Sequence, residues 1–114
     1  MSVILIAFLA SLTGLPDPLT AGWNGASACE KLREDEELRV LRCTFPPGTG
    51  HERHHHRRHF GYALSGGRAR ITDDRGVREI DIASGSSFSS EGVVWHEMLN
   101  VGPSVIQYLI VEPK

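Results

Sequence analysis

The sequence predicts a small all-β fold, a sandwich or barrel, and three observations carry that expectation. Apolar runs are short, turn residues recur between them at strand-like intervals, and the 12 glycines favour many short strands over helices. At 114 residues the chain is one domain by length, able to bury a core of its own, though not a generous one. The formal net charge of -2 carries no nucleic-acid signal, and the arginines beside the histidines are a local feature. No P-loop, dinucleotide fingerprint or Ser-His-Asp order is present.

Taken in order, the chain starts with an apolar run, Val3 to Ala10. It is too short to span a bilayer. Met1-Ser2 lacks the charged start of a secretory leader. Ala26-Ser27-Ala28 before Cys29 has the form of a cleavage or lipidation site, but Pro16, Asp17 and Pro18 lie between it and the apolar run. A cytoplasmic protein is therefore expected, the alternative being export with residues 1–28 as a signal. Left in place, the run is too apolar for water and is expected to pack on the barrel or to add a strand across a two-fold homodimer. Residues 13–27 carry Gly14, Pro16, Pro18, Gly22 and Gly25 and read as irregular chain. The organisation is thus an apolar segment and arm over 1–27, followed by a β domain over 28–114.

Ala28 to Arg33 is a weak strand and Glu34 to Glu37 a polar turn. Leu38 to Phe45 is a better strand, with Leu41, Cys43 and Phe45 on one face, and Pro46-Pro47-Gly48 ends it. Phe60 to Leu64 is the next clear strand, closed by Gly66-Gly67. Arg68 to Thr72 and Val77 to Ile82 flank Asp73-Asp74-Arg75-Gly76, a hairpin loop with a glycine. After the turn at Ser84-Gly85-Ser86 come the strand Val93 to Leu99, the turn Asn100 to Pro103, and Val105 to Val111, the most apolar strand. Cys29 and Cys43 fit no zinc spacing and are expected as reduced, buried thiols, a single bridge being the alternative.

The chemistry is concentrated in Pro47 to Gly67, which holds His51, His54, His55, His56 and His59. Imidazole is the commonest protein metal ligand, and a site needs several on one surface. His54 and His56 are two apart and face the same way on a strand. With Arg57-Arg58 as a two-residue hairpin turn, His56 and His59 would be its closing pair, on one face and about 5 Å apart at Cβ. The same register sets His54 opposite Gly61, leaving space for an ion or substrate. His55 falls on the other face, and His51 lies by the Gly48 and Gly50 turn.

The stretch resembles the first motif of the cupin superfamily, G-x5-H-x-H-x3or4-E-x6-G. Gly48, His54 and His56 stand in register, and His59 takes the glutamate position ahead of Gly66, with the spacer reduced to Arg57-Arg58. The second motif, G-x5-P-x-G-x2-H-x3-N, is matched by Gly85, His96 and Asn100, with Glu91 and Val93 replacing its proline and second glycine. The resemblance covers roughly residues 47–100. It implies a single-domain, cupin-type jelly-roll β-barrel in which His54, His56, His59 and His96 bind one divalent transition metal. Imidazole in place of the carboxylate lowers the preference for manganese and keeps affinity for Fe, Zn, Ni or Cu. A second register would use Glu52, His54, His59 and His96.

Tyr62, Arg70, Trp95 and Met98 are candidates for lining a pocket, with core packing as the competing role for Tyr62, Trp95 and Met98 and a surface position for Arg68 and Arg70. Asn100 reads as a turn former. The function expected is a metal-dependent enzyme acting on a small organic molecule, with oxygen insertion at ferrous iron named first. The alternatives are a non-catalytic module binding metal or a small ligand, and a barrel that keeps only the fold. No nucleic-acid or membrane partner is expected.

Overall fold

The computed structural model describes residues 14–114, so the apolar run at Val3 to Ala10 and its expected packing lie outside the described residues. The described chain is all-β. Its strands are β1 (Gly22–Trp23), β2 (Ala26–Ser27), β3 (Cys29–Glu34), β4 (Leu38–Phe45), β5 (Gly50–His56), β6 (His59–Ser65), β7 (Gly67–Asp73), β8 (Gly76–Ile82), β9 (Ser87–Ser90), β10 (Val93–Asn100) and β11 (Ile106–Pro113). β1 and β2 pair alone. A four-stranded sheet runs β5-β10-β7-β8, and a five-stranded sheet runs β3-β4-β11-β6-β9. All the pairings are antiparallel. No helix among the described residues is long and apolar enough to cross a membrane.

Strand alternation builds the core. Leu41, Cys43 and Phe45 from β4, Ala69 and Ile71 from β7, Met98 from β10, and Ile106 and Ile110 from β11 form one buried cluster between the two sheets. Each large side chain among them stabilises the fold by about 1.5–3 kcal/mol through burial. Arg68 and Arg70 alternate outward on β7 and pair with Glu79 and Asp81 of β8, the expected surface position. Asn100 is buried. Its amide donates to the Phe45 and Ser104 carbonyls, and its Oδ1 accepts the Gly102 N–H, which holds the β10–β11 turn closed.

Two expectations about the first third are corrected. Residues 22–27 are not irregular: Asn24 and Gly25, at φ 50° and 86°, form a two-residue turn between β1 and β2. Both positive values suit an Asn-Gly turn that follows the twist of paired strands. Cys29 and Cys43 are a disulfide rather than two thiols. They are register partners across β3 and β4, so their side chains meet on the inner face. A β-bulge between Lys31 and Arg33 shifts the register set at the turn by one residue, which brings them opposite each other.

The arm is built into the domain. The Pro16 carbonyl accepts the His55 N–H of β5. The Asp17 carboxylate accepts the Thr20 N–H and pairs with Arg39, whose Nε donates to the fully buried Glu112. Cleavage after Ala28 would remove these partners.

Candidate metal centre

The histidine stretch turns a corner between the two sheets. β5 pairs with β10 in one sheet, while β6 pairs with β9 and β11 in the other. Arg57-Arg58 is therefore not a hairpin turn, and His56 and His59 are not a cross-strand pair. Gly61 lies opposite Ile110 and Phe88 rather than His54, and a Cβ on it would meet the Phe88 ring at 2.3 Å. The physical reason is tertiary: both strands find longer partners elsewhere. His56 and His59 still meet, because each is the last inward residue before the corner or the first after it, and their rings stack at 4.4 Å.

β5 carries a further irregularity. His54 pairs with His96 and His51 with Met98, so β5 spends three residues where β10 spends two. This β-bulge over Glu52 and Arg53 turns both side chains outward and brings His51 to the inner face beside His54. His51 is buried, not placed at the turn, and its ring stacks on His54 at 3.8 Å. Its Nε2 donates to the Pro18 carbonyl at 2.9 Å. Glu52 is exposed, and its carboxylate accepts the Asn24 N–H, so the register with Glu52 as ligand has no support in the geometry.

Three histidines converge. His54, His56 and His96 place one ligand atom each within 4.8 Å of one another. The Nε2 of His54 is 3.0 Å from that of His56 and 3.1 Å from that of His96. Two nitrogens bound to one ion at about 2.0–2.1 Å lie about 2.9–3.4 Å apart at octahedral to tetrahedral angles. The His54 Nδ1–H donates to the Glu52 carbonyl at 2.6 Å, which leaves its Nε2 as a bare lone pair. One lone pair cannot accept from two neighbours at this range with good geometry, whereas a cation answers all three nitrogens. The donor set therefore fits a divalent metal. The buried Nδ1 of His56 has no partner among the described residues, unlike His54, whose Nδ1–H is held by a carbonyl.

Burial, then neighbouring imidazoles, lower the affinity of these rings for protons. His54 is pushed down to about 3 and His96 to about 4. His56 is lowered as well, for the same two reasons. His51 is lowered by burial against opposing hydrogen bonds from its backbone partners. Neutral imidazole is the form that ligates. His59 is buried on the same inner wall, and its Nδ1–H donates to the Arg57 carbonyl at 2.7 Å. It stands outside the converging three. His55 is on the opposite face of β5, as strand alternation requires.

The histidines form one end of a cavity of about 440 Å³. Phe45, Ile71, Met98, Ile110, Phe88 and Tyr108 supply its apolar walls. Of the pocket candidates, Met98 lines it. Tyr62 is on the outer face of β6, Arg70 is held outside by Glu79, and Trp95 carries the Arg53 guanidinium over its ring at 3.8 Å, so these three do not line it. Tyr108 and Phe88 escaped sequence reasoning. Alternation along Val105 to Val111 placed Tyr108 with Ile106 and Ile110, a signal available but unread, whereas β9 has no apolar alternation to announce Phe88.

The comparisons agree with the geometry. The family model for the cupin domain matches residues 41–112. No curated protein matches the chain. Among solved structures, a cupin domain from Bordetella pertussis Tohama I is similar at a TM-score of 0.71 and 19% identity, covering 88% of this chain and 96% of that one. A polyketide cyclase from Streptomyces resistomycificus reaches 0.63 at 18% identity, over 85% of this chain and 68% of that one. A predicted oxalate decarboxylase from Thermotoga maritima reaches 0.57 at 18% identity, over 75% and 79%. At these identities the structures speak for the fold alone. The family match spans well over half of the sequence and includes all four histidines of the two motifs, so the chain belongs to the cupin family.

Proposed function

We propose that this cupin is a metal-dependent enzyme acting on a small, largely apolar organic molecule, with oxygen insertion as the first reaction to test. The observation that supports this most is the placement of His54, His56 and His96 at one end of the 440 Å³ cavity. An ion held there by three imidazoles would face space of the size small ligands use. The uncharged donor set suits Fe, Zn, Ni or Cu better than manganese. Ferrous iron would supply a centre at which O2 and substrate meet. The chain's own part is to orient and to keep dry. His54 is aimed by the Glu52 carbonyl and backed by His51, while Phe45, Ile71, Met98 and Ile110 exclude water from the bound molecule.

A reaction without O2, in which the metal polarises a substrate carbonyl, is the second reading. The uncharged three-imidazole donor set favours it as well, since it also fits zinc, a Lewis acid without redox chemistry. Metal analysis of protein purified without an affinity tag is the first experiment, with about one ion per chain expected. Oxygen uptake by the iron-loaded protein against a panel of small aromatic ketones and phenols then separates the readings. Turnover that needs O2 supports insertion. Turnover unchanged under argon supports the second reading. Binding without turnover leaves a ligand-binding module.

We also propose that the chain works as a homodimer. Besides the apolar run at Val3 to Ala10, the outer face of β6 presents Phe60, Tyr62 and Leu64 in a row at 41%, 38% and 41% exposure. Light scattering showing a monomer at micromolar concentration would refute it.

A further inference from the structure

Tyr108 comes from the middle of β11 and points between the sheets with Ile106 and Ile110. Its ring meets Phe45 and Phe88 edge to face, at centroid distances of 6.2 Å and 6.1 Å. Phe88 in turn meets His59 edge to face at 5.8 Å. The cavity is thus walled by aromatic rings from the β4–β11 side round to the histidines. Flat, polarisable surfaces of this kind suit a flat ligand.

The polar groups of the cavity fall into two sets. Those on the β8–β9 side lie at the rim: Arg78 pairs with Asp73, Asp81 with Arg68, the Ser86 hydroxyl donates to the Ala83 carbonyl, the Ser90 hydroxyl accepts the Gly92 N–H, and Ser87 is exposed to water. Inside, apart from the histidines, there is the Tyr108 hydroxyl, which makes no hydrogen bond to any described residue. Burial alone accounts for the rise of its pKa to about 12, so at neutral pH it is an O–H donor and not a phenolate. Tyr108 is half-buried and lines the cavity, so its hydroxyl is open to a bound molecule, and a ligand atom that accepts from it gains a hydrogen bond.

We infer that Tyr108 is the specificity-determining residue of the cavity, donating a hydrogen bond to an oxygen of a flat, mostly apolar ligand whose ring lies among Phe45, Phe88 and Tyr108. This deepens the proposed function and rests on the cavity being its ligand site. The ligand class follows: an aromatic or fused-ring molecule carrying a carbonyl or phenolic oxygen. A saturated, strongly charged or heavily hydroxylated molecule would leave either the aromatic walls or its own polar groups without partners.

The test uses two probes of matched shape on the full, metal-loaded chain, 1-tetralone and the corresponding hydrocarbon tetralin, with binding measured by calorimetry. The wild type should bind the ketone about tenfold more tightly, which is what one net hydrogen bond of about 1.4 kcal/mol provides. Tyr108→Phe should bind both probes alike while keeping the wild-type metal content and melting temperature. A merely structural tyrosine would instead shift both probes together. If Tyr108→Phe retains the full preference for the ketone, or if the wild type binds neither probe, the inference is overturned. Repeating the titration after chelation separates it from the enzyme reading. A ketone preference that survives metal removal and still vanishes in Tyr108→Phe supports the role of Tyr108 even if no turnover is found.

Discussion

His54 shows how one side chain is prepared for a single task. A backbone carbonyl fixes its tautomer, His51 stacks behind it, and its free Nε2 meets those of His56 and His96. Replacing His54, His56 or His96 by Ala should reduce bound metal to a small fraction of one ion per chain, whereas His55→Ala, on the other face of β5, should keep it; elemental analysis reads both. His59→Glu tests the position the cupin glutamate would occupy. If the fourth ligand comes from there, the variant should take up manganese more readily than the parent. His51→Ala is expected to do more than a residue beside a turn would do. It removes the stack on a ligand and leaves the Pro18 carbonyl without its donor, so metal affinity should fall about tenfold. The same burial sets a pH dependence. In the unfolded chain these imidazoles titrate near their ordinary 6.5, but in the fold His96 is lowered to about 4 and His54 to about 3. As pH falls below 6.5 the unfolded state takes up protons that the folded state refuses. Stability of the chelator-treated protein should therefore drop from pH 6.5 down to about 3, the folded-state value of His54, the His96 share of the loss being complete near pH 4. Urea midpoints across that range measure it, and a flat profile would contradict the burial argument.

The strands decide how these residues meet, and two of them do so through departures from regularity. β5 bulges at Glu52 and Arg53, which is what allows three histidines of one strand, His51, His54 and His56, to share an inner face despite their unequal spacing. β3 bulges between Lys31 and Arg33, which shifts its register against β4 and sets Cys29 opposite Cys43. The bridge closes a short loop, and its sulfurs lie against the site: Cys29 Sγ is 4.0 Å from His51 Nε2, and Cys43 lines the cavity. Replacing both cysteines by Ser should cost about 2–3 kcal/mol, read as a lower denaturant midpoint. Thiol titration of the unfolded, unreduced wild type should find no free thiol. The same titration on protein taken from its native source shows whether the bridge forms in the compartment where the chain resides.

For the whole molecule, the decisive contacts are those that tie the arm to the barrel. Arg39 stands between Asp17 of the arm and Glu112 at the end of β11, and Glu112 is fully buried with its second oxygen unpartnered among the described residues. Burial opposes charge on Asp17, but the Thr20 N–H and Arg39 overcome it and lower its pKa. Arg39→Met would leave Glu112 as a buried charge without its partner. The expected loss is about 3 kcal/mol, seen by denaturation, together with faster proteolysis of residues 14–21. The double variant Arg39→Met/Glu112→Met should recover most of that loss, since an apolar pair of similar volume removes the uncompensated charge.

Alternation along single strands was readable from residue order. Leu38 to Phe45 coincides with β4, the strands expected from Phe60 onward fall within two residues of their observed ends while β9 is not among them, and the inward face of Leu41, Cys43 and Phe45 is as expected. The motif spacing also led to His54, His56 and His96, because alternation and a shared fold are both local in the sequence. What residue order did not reveal depends on pairing between distant segments. The sheet change at Arg57-Arg58 exists because β10 and β11 offer β5 and β6 better partners than they offer each other. The bulge that turns His51 inward is settled by its register with β10, and the arm that receives its hydrogen bond comes from 33 residues upstream. Tyr62, Arg70 and Trp95 sit beside motif residues in sequence yet outside the cavity, since the neighbour of an inward residue on a strand points outward. Tyr108 lies outside both motifs but inside the cavity, because β11 pairs between β4 and β6 in the wall behind the histidines.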